Sequence, residues 1–477
     1  MFEFVDDYTF HVRFEAPNTL FLEHLATPDG LVLTSFPAHY ARKFHKRYIN
    51  DITLWRMTIE EHDNSWTEMF NHRVGLHSLS SGTYMDPAHP RLTAWVPLTP
   101  YYPDQGSIIW TRNPYYWKVD TWGNQLPYID YVTFELAESS DDVITWAMSG
   151  GISMQNLETV SGEVYAAFGK RNGTDNYNFY SLDNERSNVL SIHFNMAHPD
   201  PIQREIFENI NFRIALSYAI NRQEIIDQIF GGQGEPWQVA PRASSPFYDS
   251  VLAKQYTEYD IQKANEYMDQ AGFRKDSLGR RLGPYGQPIS FTLLGRNDDP
   301  QQINMLNMIA VYWAKIGLDV NVQAEDPVAF EATVRSNLHD AAAAEGQGTS
   351  FMDLLLDPNG FVPVNEKTYW GIPWANQFNG VPGFEDVPFS NVASNMLASF
   401  KQVSTTDNRS LQASSIDSAL LFARQNFVMI GIATGPPRYG IVQRNFINVP
   451  KQMPSSWQYP DPGPANPEQF FVDPNIK

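Results

Sequence analysis

Between Pro300 and Ser336 the chain alternates helix, strand and helix, an order that restricts it to folds in which helices cover a sheet. Pro300 opens a segment whose Ile303, Leu306, Ala310 and Trp313 share one helical face, and Gly317 closes it. Leu318, Val320 and Val322 then alternate as a strand does. Asp326-Pro327 caps another helix, predicted to about Ser336. Upstream, Phe212 to Ile220 reads as a helix. Asn221 caps the next one, with Glu224 at capping-box spacing, and Gly231-Gly232 stops it. The length of 477 residues exceeds the roughly 250–300 at which a single core stops growing, so at least two domains are expected.

The remaining elements are sparser. Phe10, Val12 and Phe14 alternate within Thr9 to Phe14 as a strand, and no pairing partner is recognisable ahead of it. Ile108 to Trp110, Tyr131 to Leu136, Tyr177 to Leu182, Val189 to Phe194 and Val428 to Ala433 also read as strands. Ser140 is the expected N-cap of a helix that Gly150-Gly151 ends, and another helix is expected from Arg409 to about Arg424. Asp340 to Glu345 holds a run of alanines for which intrinsic propensity alone says helix. Residues 343–390 lack clear periodicity. A stretch that long is functional or disordered, and the aromatics from Tyr369 to Phe384 argue against disorder. Val449 to Pro467 is Pro-rich and expected to run extended over the surface.

Composition removes several classes of function. A formal charge of -20 repels phosphate backbones, so no nucleic-acid partner is expected. The absence of cysteine excludes disulfides, thiolate metal sites and a Cys nucleophile. The longest apolar runs fall far short of the roughly 20 residues of a membrane span, and Met1 to Asp7 has neither the basic nor the apolar region of a signal peptide. No zincin, nucleophile-elbow, Walker or dinucleotide motif is present. His62, His72 and His77 lie near one another in sequence, but His72 and His77 fall on different helix faces, so no metal site and no cofactor is expected. An enzyme reading would rest on Asp353 and Asp357 beside Trp370 and Trp374, as the carboxylate pair of a glycosidase. No motif demands it.

Several segments resemble one family. Arg112-Asn113-Pro114-Tyr115-Tyr116-Trp117-Lys118-Val119-Asp120, continuing into Gly123-Asn124-Gln125-Leu126-Pro127-Tyr128-Ile129-Asp130, is similar to the signature of family 5 extracellular solute-binding proteins, the peptide- and oligosaccharide-binding components of bacterial ABC importers. Phe212 to Arg222 resembles the family's R-x-A-L-x-x-A-I-D-R helix pair, and Gly232-Gln233-Gly234-Glu235-Pro236 the glycine turn after it. Ala264 to Gly272, Gly279 to Leu282 and Trp313 to Leu318 resemble further family segments, so the resemblance runs from about Phe4 to Val449.

The resemblance implies an α/β, two-lobed periplasmic-binding-protein-like fold (type II, cluster C), with mixed sheets flanked by helices and a cleft between lobes. Lobe I would comprise residues 1–195 and a return at 439–477; lobe II, the α/β ligand-binding lobe, would comprise 196–438. The alanine run would be a strand. Signal peptide and first lobe I strands would precede Met1, so the chain reads as N-terminally truncated and marginal as an isolated fold. The implied partners are an oligopeptide or oligosaccharide ligand and a membrane ABC permease. The implied protein is a monomer, periplasmic or extracellular, and not an enzyme. Peptide is the expected ligand on family frequency alone, with oligosaccharide as the alternative. The residues expected to touch ligand are Phe351, Asp353, Trp370 and Trp374, with Trp110 in lobe I. Trp370 and Trp374 would be sugar-stacking platforms or packing residues. Peptide binders of the family hold the peptide amino terminus with an Asp in a W-x-x-D-Y-x-D-P motif. Aligned on Asp357-Pro358, that position is Leu354, and Asp353 stands one place off, pointing the opposite way if the segment is a strand.

Overall fold

A computed structural model describes residues 1–75, 86–100, 106–156, 177–184, 186–346, 348–388 and 390–476. It divides into two compact units. One comprises Met1–Phe21 and Glu185–Pro437, the other Leu22–Asn184 and Arg438–Lys477. Met1–Phe21 groups with the α/β segment rather than with the stretch that follows it. Leu20 is buried there, and the Thr19 hydroxyl donates to the Thr406 carbonyl at 2.8 Å.

The α/β unit is built on a five-stranded mixed sheet in the order Asp319–Glu325, Ser290–Arg296, Ala341–Gly346, Asn188–Phe194 and Met429–Gly431. The first three run parallel as neighbours, and the last two pairings are antiparallel. Helix Pro300–Ala314 makes the crossover that the first parallel pair requires. Asp299 caps its start, and Gly317 ends it at φ 94°. A Cβ on Gly317 would also lie 2.3 Å from the Gly279 carbonyl oxygen, so only glycine fits there.

Alternation along Asn188–Phe194 sorts its side chains. Leu190, Ile192 and Phe194 enter the main core, where Phe194 packs on Phe207, Phe212, Phe291 and Trp313. Ser191 and His193 take the opposite face. The alanine run is a strand, Ala341–Gly346, as the resemblance implied. Ala341 and Ala343 are buried in the main core, and Ala342 packs on the other side with Leu294, Phe330 and Tyr369. A strand covered on both faces gains more from pairing and burial than its helix propensity offers.

The N-terminal strand has a partner after all. Phe2–Asp6 pairs antiparallel with Thr9–Val12 in a hairpin. Both faces of the hairpin are exposed. In the second unit, a four-stranded sheet runs in the order Gln452–Ser455, Tyr177–Asn184, Arg438–Gln443 and Met154–Asn156. Trp95–Pro97, Ser107–Arg112 and Tyr131–Glu135 form a three-stranded antiparallel sheet. The helix expected after Ser140 is capped one residue earlier, by Ser139 with Asp142. His77 lies outside the described residues. Among the described residues no helix is long and apolar enough to cross a membrane.

Candidate functional site

The polar face of the main sheet opens a recess of about 60 Å³ within the α/β unit. Ser191 and His193 form its floor, the end of Ala341–Gly346 one wall, and Asn359, Lys367 and Tyr369 the other. It exists because alternation puts two polar side chains on a central strand, while the neighbouring alanines leave the space above them unfilled.

The hydrogen bonds at the floor fix its protonation. The Ser191 hydroxyl donates to the Ala344 carbonyl at 3.0 Å. Having one proton, it can only accept from His193 Nε2, at 2.8 Å. His193 therefore carries its proton on Nε2 and presents Nδ1 as a lone-pair acceptor, which has no partner in the protein. Burial, and then the neighbouring His339, push the His193 pKa down to about 3, so the ring is neutral near pH 7. His339 is arranged alike. Its Nε2 meets the Tyr369 carbonyl at 2.7 Å, and burial pushes its pKa down to about 4. The Tyr369 hydroxyl in turn donates to Glu331 at 3.1 Å. Glu345 pairs with Arg186 at the rim.

In this arrangement His193 is not set to activate Ser191 as a nucleophile. A serine nucleophile must give its proton to histidine, and here the serine proton is committed to a carbonyl. A histidine with so low a pKa is also a poor general base. The space admits several water-sized groups, so the recess can take a protruding part of a ligand.

The residues singled out from sequence lie elsewhere. Trp370 and Trp374 are 0% and 2% exposed, in a core with Leu354, Leu355 and the helices Asn391–Phe400 and Arg409–Asn426. Their rings meet edge to face at 6.1 Å, and the Trp374 indole donates to the Pro388 carbonyl. Neither offers an open face for a sugar, so the packing alternative describes them. Asp353 is also buried. The segment is a helix, Phe351–Leu356, and Asp353 and Ser350 form its capping box. The up-and-down alternation of a strand does not apply there, and Leu354 points into the core. Phe351 stacks on Phe247 at 5.8 Å, with the Arg409 guanidinium over its ring. Trp110 sits on Ser107–Arg112 in the second unit, half-buried and edge-on to Phe134 at 6.5 Å. None of the five lines the recess. The Asp353–Asp357 carboxylate pair fares no better. Asp357 is buried and accepts from Asn359 and Asn365. The signal for the recess was present in sequence: Ser191 and His193 alternate with Leu190, Ile192 and Phe194.

Comparison with known proteins follows the fold. The model of the middle region of bacterial extracellular solute-binding proteins, family 5, matches residues 2–361. The periplasmic alpha-galactoside-binding protein of Rhizobium meliloti is 27% identical over 298 residues, 59% of this chain and 42% of that protein. The oligopeptide-binding protein OppA of Lactococcus lactis subsp. lactis is 21% identical over 45% of this chain and 35% of that protein. These alignments thus span less than half of either relative. A solved structure of an oligopeptide-binding protein OppA is 29% identical, with a TM-score of 0.72 over 99% of this chain and 75% of that one. MelB of Agrobacterium fabrum, solved with stachyose, shares the fold at 20% identity and a TM-score of 0.70, over 100% of this chain and 68% of that one.

Proposed function

The chain belongs to the bacterial extracellular solute-binding proteins of family 5, and on that premise we propose that it captures an oligomeric solute for an ABC importer, with an oligosaccharide as the ligand its geometry favours. Members of this family are transport binding proteins rather than enzymes, and periplasmic or extracellular. For this chain the reading is a monomeric binder without turnover, working with a membrane permease.

One observation carries the ligand preference. His193 lines the recess as a neutral ring whose Nδ1 is a buried acceptor without a partner in the protein. A sugar hydroxyl can donate to it without bringing charge into a buried site. A peptide amino terminus would bring a charge, and the segment expected to neutralise it holds Leu354 in the core and Asp353 in a helix cap. An oligopeptide is the second reading, supported by the likeness to the OppA structure at 29% identity over almost the whole chain.

The test is a thermal-shift screen of the chain against oligosaccharide and peptide libraries, with ligand recovered and weighed afterwards. Stabilisation by oligosaccharides, weakened at least tenfold in His193→Gln, supports the favoured reading. Stabilisation by peptides alone supports the second. Recovery of a cleaved ligand, or no response to either library, counts against both.

A further inference from the structure

Away from the recess, a group of metal-ligating side chains lies in the unit that contains Leu22–Asn184. Glu68 and His72 stand four residues apart on helix Trp66–Val74, so their side chains share one face. Asp63 comes from the turn that joins this helix to Asp51–Glu60. One donor atom from each of Asp63, Glu68 and His72 lies within 4.8 Å of the others. His72 Nδ1 is 2.7 Å from Asp63 Oδ1.

Asp63 is the unusual member. Its side chain is 2% exposed, yet Oδ2 has no hydrogen-bond donor. A buried carboxylate oxygen without a donor is destabilising unless a proton or a cation meets it. Glu61 is already held by Arg73, so it is not a further ligand. Glu68 is oriented differently. Its Oε2 accepts from the backbone and side chain of Asn64 at 3.0 and 3.1 Å, and these bonds keep it ionised. The three groups therefore bring two carboxylates and one imidazole together.

We propose that Asp63, Glu68 and His72 bind a divalent first-row transition-metal ion. One imidazole nitrogen and two carboxylates form a mixed donor set of the kind zinc accepts, leaving a fourth position for water. Ligand bonds of about 2.1 Å in tetrahedral array would place donors about 3.4 Å apart. The 2.7 Å contact between His72 and Asp63 must then open by less than an ångström, and Glu68 must swing inward. The ligating forms are the neutral imidazole and the carboxylates, so protons compete with the metal and binding weakens as pH falls.

The site is tested on the full chain by titration with Zn²⁺ and by the visible absorption of Co²⁺. One equivalent of saturable binding at pH 7.5 is expected, at a pH chosen above the ordinary imidazole pKa of about 6.5. Affinity should fall at least tenfold in His72→Gln and in Asp63→Asn. Both replacements keep side-chain volume and hydrogen-bonding capacity, and Glu68→Gln, at a half-buried position, is the third variant. Absence of saturable binding in the native chain overturns the proposal. So does binding that survives unchanged in all three variants.

Discussion

Ser191 Oγ lies 2.8 Å from His193 Nε2 while giving its own proton to the Ala344 carbonyl. This contact sets the tautomer of His193; Nδ1 has no partner, and burial, with the neighbouring His339, keeps the ring neutral. It also couples stability to pH. The folded pKa of His193 is about 3 and that of His339 about 4, both below the ordinary value of about 6.5. Between these limits the unfolded chain binds the protons and the folded chain does not, so stability rises with pH. It is fully present above about pH 6.5 and lost as pH falls below it, by up to about 1.4 kcal/mol per pH unit for each ring. Urea midpoints at pH 5 and pH 7.5 should therefore differ, and His193→Gln should flatten the dependence. An unchanged slope in that variant would remove His193 from the account.

Replacing Asp353 separates a capping role from a ligand contact. The carboxylate receives both the Ser350 backbone N–H and the Ser350 hydroxyl, and the Ser350 oxygen caps the Asp353 N–H. Asp353→Ala should cost about 1 kcal/mol of stability, as loss of a helix cap does. Once a ligand is identified, its affinity should stay within twofold. A tenfold loss of affinity at unchanged stability would restore Asp353 to the binding surface.

The tryptophans lend themselves to the same separation. Trp370→Ala and Trp374→Ala should each destabilise the chain by about 3–5 kcal/mol, the usual cost of removing a buried aromatic. Trp374→Phe keeps most of the packing and should leave ligand affinity as it is. A stable Trp374→Phe chain that has lost its ligand would show that the ring is uncovered on binding.

The fold was more legible in the sequence than the site, for a physical reason. Helix Pro300–Ala314 shows its cap, its apolar face and its glycine stop within a short window, and each is a local effect. The alanine strand is set by neighbours on both sides of the sheet, which no local property of alanine reports. Trp370 and Trp374 left packing and stacking both open, because a surplus of aromatics fits a core and a ligand surface equally well. Ser191 and His193 were passed over because two polar residues alternating with apolar ones usually mean a solvated sheet face. Here that face is covered by residues 359–369, far away in sequence.

Arg222, the last residue of the motif that runs from Phe212, supplies a further test. It is 1% exposed and 209 residues distant in sequence from Gly431, whose carbonyl accepts from both its Nε and Nη2 at 3.0 and 2.9 Å. Nη1 donates to the Ser217 carbonyl at 2.8 Å, and Nη2 also reaches the Ser217 hydroxyl. The guanidinium thus joins two helices to the edge strand Met429–Gly431, and burial pushes its pKa down to about 9, still charged near neutrality. Lysine cannot reproduce this planar fork. Arg222→Lys should lose the paired contact to Gly431 and cost about 2–3 kcal/mol, with the urea midpoint falling at unchanged slope. Arg222→Met spares the cost of burying a charge but takes both side-chain donors from the Gly431 carbonyl and leaves the Ser217 carbonyl only the Ile220 N–H, so it should be destabilised by a similar amount. A methionine variant as stable as the native chain would mean that the apolar gain offsets those carbonyls, and that Arg222 is dispensable for holding the edge strand.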